Sequence, residues 1–197
     1  MTKVVADITM SLDGFVTGPG AGPGSGLGDG GMPLHDWVFN GDDVDEAVLA
    51  TATERSGAVV MGRNVFDVVD APDGWSTEMG YGAHHAGRPS FFVVTHRAPA
   101  EVRLDLDLTF VTGGVSEAVE AARAACPVGK DVVIMGGGNV IAQAVDLGLV
   151  DELLVHVSPM VMGAGTPLWA NVSRRQLRQA AVVVSPFATH ITYDLAS

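Results

Sequence analysis

Three stretches of this chain place glycine or a cation directly after a short apolar run: Gly62-Arg63 after AVVM, Thr95-His96-Arg97 after FFVV, and Gly136-Gly137-Gly138-Asn139 after VVIM. Glycines at the mouth of a helix let backbone N–H groups approach an anion, and the positive end of the helix favours its charge. Arg63, at the same kind of helix start, adds a charge-assisted contact. The pyrophosphate of a dinucleotide accounts for the set. Thr95 and Arg97 suit an additional ribose phosphate, which favours NADPH over NADH. Arg88 is a spare cation that also suits a solvated surface. The triplet alone matches only the start of the G-x-G-x-x-G fingerprint, because Ile141 stands where the last glycine belongs and no acidic residue ends a second strand at the expected distance. Three adjacent glycines also suit a tight packing turn between strand and helix.

Other reactive residue types form no pattern. The pair His84-His85 has no further ligand cluster to suggest a metal, and loop histidines are commonly solvated. His156 falls inside a strand pattern, where a hydrogen-bonded structural role is the ordinary one. Cys126, at a helix end, has no partner histidine pattern and is assigned no nucleophilic role.

The composition limits what these loops can serve. A chain of 197 residues suits one domain, 1–197, with a sizeable core. Its 47% hydrophobic and 17% charged residues are those of a folded protein. The formal net charge is −12, with only two lysines, Lys3 and Lys130, and nine arginines, so no basic stripe exists for a nucleic-acid backbone. Few arginines make the place of each one informative. Mean hydropathy is +0.29, yet the apolar runs are short of the roughly 18–20 residues that span a bilayer. A soluble protein is expected. No charged-then-apolar leader precedes the first strand pattern, and the single cysteine cannot form an intrachain disulfide, so a cytoplasmic location is expected.

The elements that must position the loops are legible. KVVADITM reads as a strand, and residues 18–33, with eight glycines and three prolines, cannot be regular structure. A loop this long inside a compact domain is typically functional or mobile. Asp43 and Glu46 suggest a capping box for a helix over 43–55, with Val44, Ala47, Val48 and Ala52 on its apolar face. Residues 56–69 read as strand, turn at Gly62, then helix. Strands follow in RPSFFVVTHR and LTFVT, and a helix over 116–126 with Ser116 as N-cap and Pro127 as its stop. DVVIM is a strand, and the helix after the glycines ends near Gly148. VDELLVHVSPMVMGAG reads as strand and loop, and AAVVVSP with THITYDL as a hairpin. Alternating strands and helices with continuous β-branched runs predict a mainly parallel sheet covered on both faces, with an antiparallel ending.

In this order and spacing, ITMSLDGFV, AVVMGRNVFD, FFVVTHR, VVIMGGGNVIAQAV and LVDELLVHVSPMVMGAGTPLW resemble the dihydrofolate reductase superfamily. The resemblance covers nearly the whole chain and is greatest to the bacterial branch related to the reductase domain of bifunctional riboflavin-biosynthesis enzymes. It implies a three-layer α/β fold with a mixed, mainly parallel sheet and NADPH across the strand ends. By it, Gly62, Arg63 and Asn64 match positions on the pyrophosphate side, Thr95 and His96 those near the adenosine 2′-phosphate, and Gly136, Gly137, Gly138, Asn139 and Val140 the glycine loop. No H-x-E with P-C-x-x-C occurs in these residues, so the deaminase half of the bifunctional enzymes is not expected here.

On the substrate side the chain departs from both relatives. Riboflavin-type reductases usually carry a glutamate before a glycine pair, where this chain has Gly136, and their SLDGR arginine is Phe15 here. Dihydrofolate reductases bind the pterin through a carboxylate on the first helix, for which Asp36 in PLHDWVF is the counterpart, and commonly carry a large aromatic where this chain has Ile141. Hydride transfer to C=N leaves a nitrogen that needs a proton. Asp13 and Asp36 are the candidate catalytic acids, against the alternatives of a turn residue in LDG and a helix cap. Trp37 and Phe39 suit an apolar wall or the core. The expectation is an NADPH-dependent reductase of a small pterin-like or aminopyrimidine-like heterocycle, with 18–33 as a flap. The alternatives are a non-catalytic NADP(H)-binding protein that senses or stores cofactor, and a structural subunit. Homodimerisation would cover the final apolar strands.

Overall fold

The computed structural model describes residues 2–76, 80–81, 88–170 and 172–195. His84 and His85 lie outside the described residues. Ten strands and five α-helices follow one another as β1 Val4–Ser11, β2 Phe15–Thr17, α1 Asp36–Phe39, α2 Asp43–Arg55, β3 Ser56–Gly62, α3 Arg63–Val69, β4 Ser90–Val94, β5 Leu108–Val111, α4 Val115–Ala125, β6 Asp131–Gly136, α5 Gly138–Asp146, β7 Glu152–Ser158, β8 Thr166–Pro167, β9 Arg178–Val184 and β10 Thr189–Asp194, with a 3-10 turn at Met32–His35. Eight strands form one sheet in the order β5-β4-β3-β6-β1-β7-β10-β9. The pairs from β5 to β7 are parallel, and β10 is antiparallel to both its neighbours. This is the mixed sheet with a C-terminal hairpin that the sequence pattern predicts.

Alternate residues of each strand feed opposite faces. On one face Val4, Ala6, Val60, Val132, Ile134, Leu153 and Val155 pack with Val119 and Ala122 of α4 and with Ile141 and Val145 of α5. On the other, Val59, Met61, Phe91 and Val93 pack with Phe66 and Val69 of α3. Fully burying a Val, Leu, Ile or Phe side chain contributes about 1.5–3 kcal/mol, so these two layers hold the parallel strand ends in place.

Two helix starts differ from the sequence reading. Helix α2 is capped by Asp42, not Asp43: its carboxylate accepts from the Val44 and Asp45 amides, and the Asp45 carboxylate accepts from the Asp42 amide, completing the box one residue early. Its Val44 is exposed, and the residues it buries are Asp45 and Thr53, so α2 is seated by polar contacts. Helix α4 starts at Val115, whose side chain is buried, and Gly114 at φ 94° is its N-cap in place of Ser116. Burying Val115 decides that boundary.

The glycine-rich segment is closed on itself. Gly18 donates its amide to Leu27, Gly22 to Gly26 and Asp29 to Pro19. Gly18 is required by packing, because a Cβ there would lie 2.0 Å from the Asp29 carbonyl oxygen. Strands β2 and β8 pair as a separate ribbon, joining the loop after β1 to the loop after β7. β8 had no signal in the sequence pattern.

Candidate functional site

Because β3, β4, β6, β1 and β7 are parallel, their carboxyl ends share one edge of the sheet, where α/β folds bind ligands. Gly62 pairs with Val94 and Met61 with Gly136, which brings all three predicted loops side by side. The glycines then divide by role. A Cβ on Gly62 would lie 2.9 Å from Val140 Cγ2, so Gly62 lets α3 and α5 start against each other. Gly136 has φ 127°, which a side chain rarely tolerates, and the Gly136–Gly137 peptide is cis. A Cβ on Gly138 would lie 3.0 Å from Val16. Gly137, by contrast, has only an ordinary neighbour, Val65 at 3.5 Å, and is half-buried. It is the N-cap of α5, and no side chain caps that helix. Gly62 and Gly138 are therefore required by packing, while Gly137 has room for a side chain.

Arg63 opens α3 and reaches sideways. Its Nε lies 2.6 Å from Asp67, and its Nη1 donates to the Arg97 carbonyl at 2.8 Å and to Thr95 Oγ1 at 3.4 Å. The buried Thr95 hydroxyl donates to the Arg97 carbonyl at 2.8 Å. Thr95 thus fixes the turn after β4 and leaves the His96 and Arg97 side chains exposed beside it. Asn64 and Asn139 are exposed at the first turns of α3 and α5, and Asn139 Oδ1 accepts from Gln143. Val140 is buried. Arg88 precedes β4, at the opposite edge of the sheet, and is not part of this cluster.

The two candidate acids are differently placed. Asp13 Oδ1 accepts the Ser11 hydroxyl at 2.6 Å and the Met162 amide at 2.9 Å, and Oδ2 accepts the Gly163 amide at 2.7 Å. The Met162 amide first, then the Ser11 hydroxyl, hold its carboxyl down to about 2. This carboxylate ties the β1 loop to the β7 loop. Asp36 opens α1, half-buried, with a single long contact to Asn40 Nδ2 at 3.3 Å. Trp37 is buried: its Nε1 donates to Thr9 Oγ1 at 3.0 Å, and its ring lies 4.1 Å from that of His156. Phe39 is 60% exposed.

A polar cluster beneath α1 and α2 escaped the sequence reading. His156 Nε2 lies 3.0 Å from Asp7, His156 Nδ1 lies 2.6 Å from His190 Nδ1, and His190 Nε2 lies 2.9 Å from Asp45. The available signal was an aspartate inside VVADITM and histidines inside LLVHVS and THITYD, each in an otherwise apolar strand.

The model of the RibD C-terminal domain family matches residues 2–191. The chain belongs to the RibD C-terminal domain family. Its reductase relatives support a reductase-like role for this member of the RibD family. The uncharacterized protein YyaP of Bacillus subtilis is 23% identical over 179 residues, 88% of this chain and 83% of YyaP. Solved structures share the fold. A pyrimidine reductase-like protein from Corynebacterium diphtheriae is 17% identical with a TM-score of 0.67, over 100% of this chain and 92% of that one. Dihydrofolate reductase from Enterococcus faecalis, complexed with NADP(H), is 16% identical with a TM-score of 0.60, over 98% of this chain and 95% of that one.

Proposed function

We propose that this RibD-family chain is an NADPH-dependent reductase of a small, flat heterocycle, pterin-like or aminopyrimidine-like, acting on a C=N or C=O group. The observation that carries the reading is the meeting of an open Gly137 backbone at an uncapped helix start with Arg63, His96 and Arg97 from the two neighbouring strand ends. Amide donors at a helix N-terminus flanked by arginines fit a pyrophosphate. Gly137, Gly138 and Asn139 would hold it, with Gly62 and Asn64 at the adjoining turn. Thr95 sets the turn that presents His96 and Arg97 to a ribose phosphate. Bound there, the dihydronicotinamide supplies a hydride. Asp36 is the carboxylate left to orient the heterocycle, while Asp13 fixes the two loops around the opening.

The reading is tested by titrating the protein with NADPH and NADH and following nicotinamide fluorescence. NADPH is expected to bind more tightly than NADH, and Arg97→Ala to weaken NADPH about tenfold, the loss of a hydrogen bond to a charged group. Equal affinity for the two nucleotides, unchanged in the variant, would remove the phosphate role.

One observation favours a second reading. The three hydrogen bonds on Asp13 leave that acid committed as an acceptor, which suits a protein that binds NADP(H) without turnover. That protein would bind NADPH and oxidise none of it with any pterin or aminopyrimidine offered.

A further inference from the structure

The few cations of this chain are unevenly divided between the two ends of the sheet. Eleven Lys and Arg residues stand against 23 Asp and Glu. Lys3 and Arg55 pair with Glu152, Arg55 also with Asp131, and Arg123 with Asp151, all at the amino ends of β1, β6 and β7. Arg178 pairs with Asp194, which lies opposite Glu152, and Lys130 donates to the Glu54 carbonyl at the same end. Arg88 precedes β4, and Arg103 binds Asp70 beyond the last residue of α3. Arg174 and Arg175 follow Ser173, whose amide is held by Asp146 at the end of α5. That leaves Arg63 and Arg97 at the carboxyl ends, both on the β3 and β4 side.

The sheet order β4-β3-β6-β1-β7 makes the ends of β1 and β7 the other half of the same edge. The halves adjoin, since a Cβ on Gly138 would meet Val16, just past β1, at 3.0 Å. Residues 12–17, 32–39 and 159–165 surround this half; they carry no Lys or Arg, and their acidic residues are Asp13 and Asp36. The Leu12 amide donates to the Met160 carbonyl at 2.8 Å, and Ser158 Oγ donates to the Pro33 carbonyl at 3.4 Å, which seats the three segments together. On them Leu12, Met32, Phe39 and Val161 are each more than half exposed. The Met162 and Gly163 amides, which could receive an anion, are already filled by Asp13. Burial first, then His156, push His35 down to about 4, so at neutral pH its ring adds no positive charge.

We propose that the heterocycle taken at this half of the edge bears no anionic tail, neither phosphate nor carboxylate: it is an uncharged ring system with N–H donors for Asp36 and an apolar surface for Leu12, Met32, Phe39 and Val161. The proposal rests on the reductase reading above and narrows its substrate class. A phosphate here would give up water for apolar side chains that return no hydrogen bond, beside carboxylates of its own sign. An uncharged ring loses little water, covers the exposed apolar groups, and offers donors to a side chain that can only accept. The two ends of one strand edge thus sort by charge, with the anionic groups of the cofactor toward Arg63 and Arg97 and the uncharged substrate toward Asp36.

The test is calorimetric titration of protein saturated with NADP⁺, which has no hydride to give, using three probes that share one ring: hydroxymethyl-dihydropterin, its phosphate ester, and dihydrofolate with its carboxylate tail. The alcohol should bind about tenfold or more tightly than either anion. Raising the salt from about 0.1 to about 1 M shortens the screening length from about 10 to about 3 Å, and should narrow that gap by strengthening the anions. Leu12→Arg and Val161→Arg, at exposed loop positions, place a cation on this half and should tighten the phosphate ester about tenfold while leaving the alcohol within about twofold. An alcohol that binds no better than the anions, a gap that salt leaves unchanged, or a phosphate ester indifferent to both variants would overturn the proposal. Failure of the unaltered chain to bind NADP⁺ or NADPH would instead sink the reductase reading. The two failures are told apart because the order of the three probes is also read on the chain without cofactor.

Discussion

Gly136, Gly137 and Gly138 are adjacent in sequence and different in physics. Alanine at Gly136 must adopt φ near 127°, at a cost of about 1–3 kcal/mol. Alanine at Gly137, whose φ is −69°, suits the backbone but puts a methyl where the proposed cofactor would lie. Gly137→Ala is expected to keep its melting temperature and lose NADPH affinity about tenfold or more. Gly136→Ala should unfold earlier in thermal denaturation. If the two variants behaved alike, the division of roles among the glycines would be wrong. Asp13 gives a prediction in pH. Its carboxyl is held below the ordinary 3.8, at about 2, so its bonds stabilise the fold above the ordinary value and are lost as pH falls through about 2. Asp13→Asn should therefore lower the melting temperature at neutral pH, with the difference from the unaltered chain shrinking in acid. That role was not legible in the SLDG motif, because the Met162 and Gly163 amides come from a loop far along the chain.

At the scale of elements, α5 and α2 show two ways of seating a helix. Helix α5 buries Val140, Ile141, Ala144 and Val145, a stripe readable in NVIAQAV. Ile141 is 0% exposed, and Ile141→Ala should cost about 2–5 kcal/mol in chemical denaturation. A smaller loss would mean that the site's supporting helix is loosely packed. Helix α2 has its extent legible but not its orientation. The apolar pattern of Val44, Ala47 and Val48 points toward solvent or half-burial, while Asp45 turns in to His190 and Ser185. A hydrophobic pattern cannot announce a buried carboxylate whose partners lie on other elements.

For the whole molecule, the parallel arrangement gathers the strand-end loops, and among the described residues no helix is long and apolar enough to cross a membrane. The sheet ends at β9, an edge strand exposed along its whole length, with Val182, Val183 and Val184 among its residues. An unpaired apolar edge is a template for another strand. A homodimer across β9 is expected, with light scattering giving twice the chain mass and Val183→Lys shifting it toward the monomer. A monomeric mass for the unaltered chain would end that expectation.

The sequence by itself determined the eight strands of the main sheet, helices α2 to α5 and the three loops at the strand ends. Continuous β-branched runs report burial on both faces, and a glycine or helix cap reports a boundary, without reference to any distant residue. Only the tertiary structure decided which glycine has room for a side chain, that Asp13 is a staple, and that Asp7, His156, His190 and Asp45 meet. Those four are joined across separations of 149, 34 and 145 residues. Sheet order, which no local period encodes, is what brings them within hydrogen-bond distance.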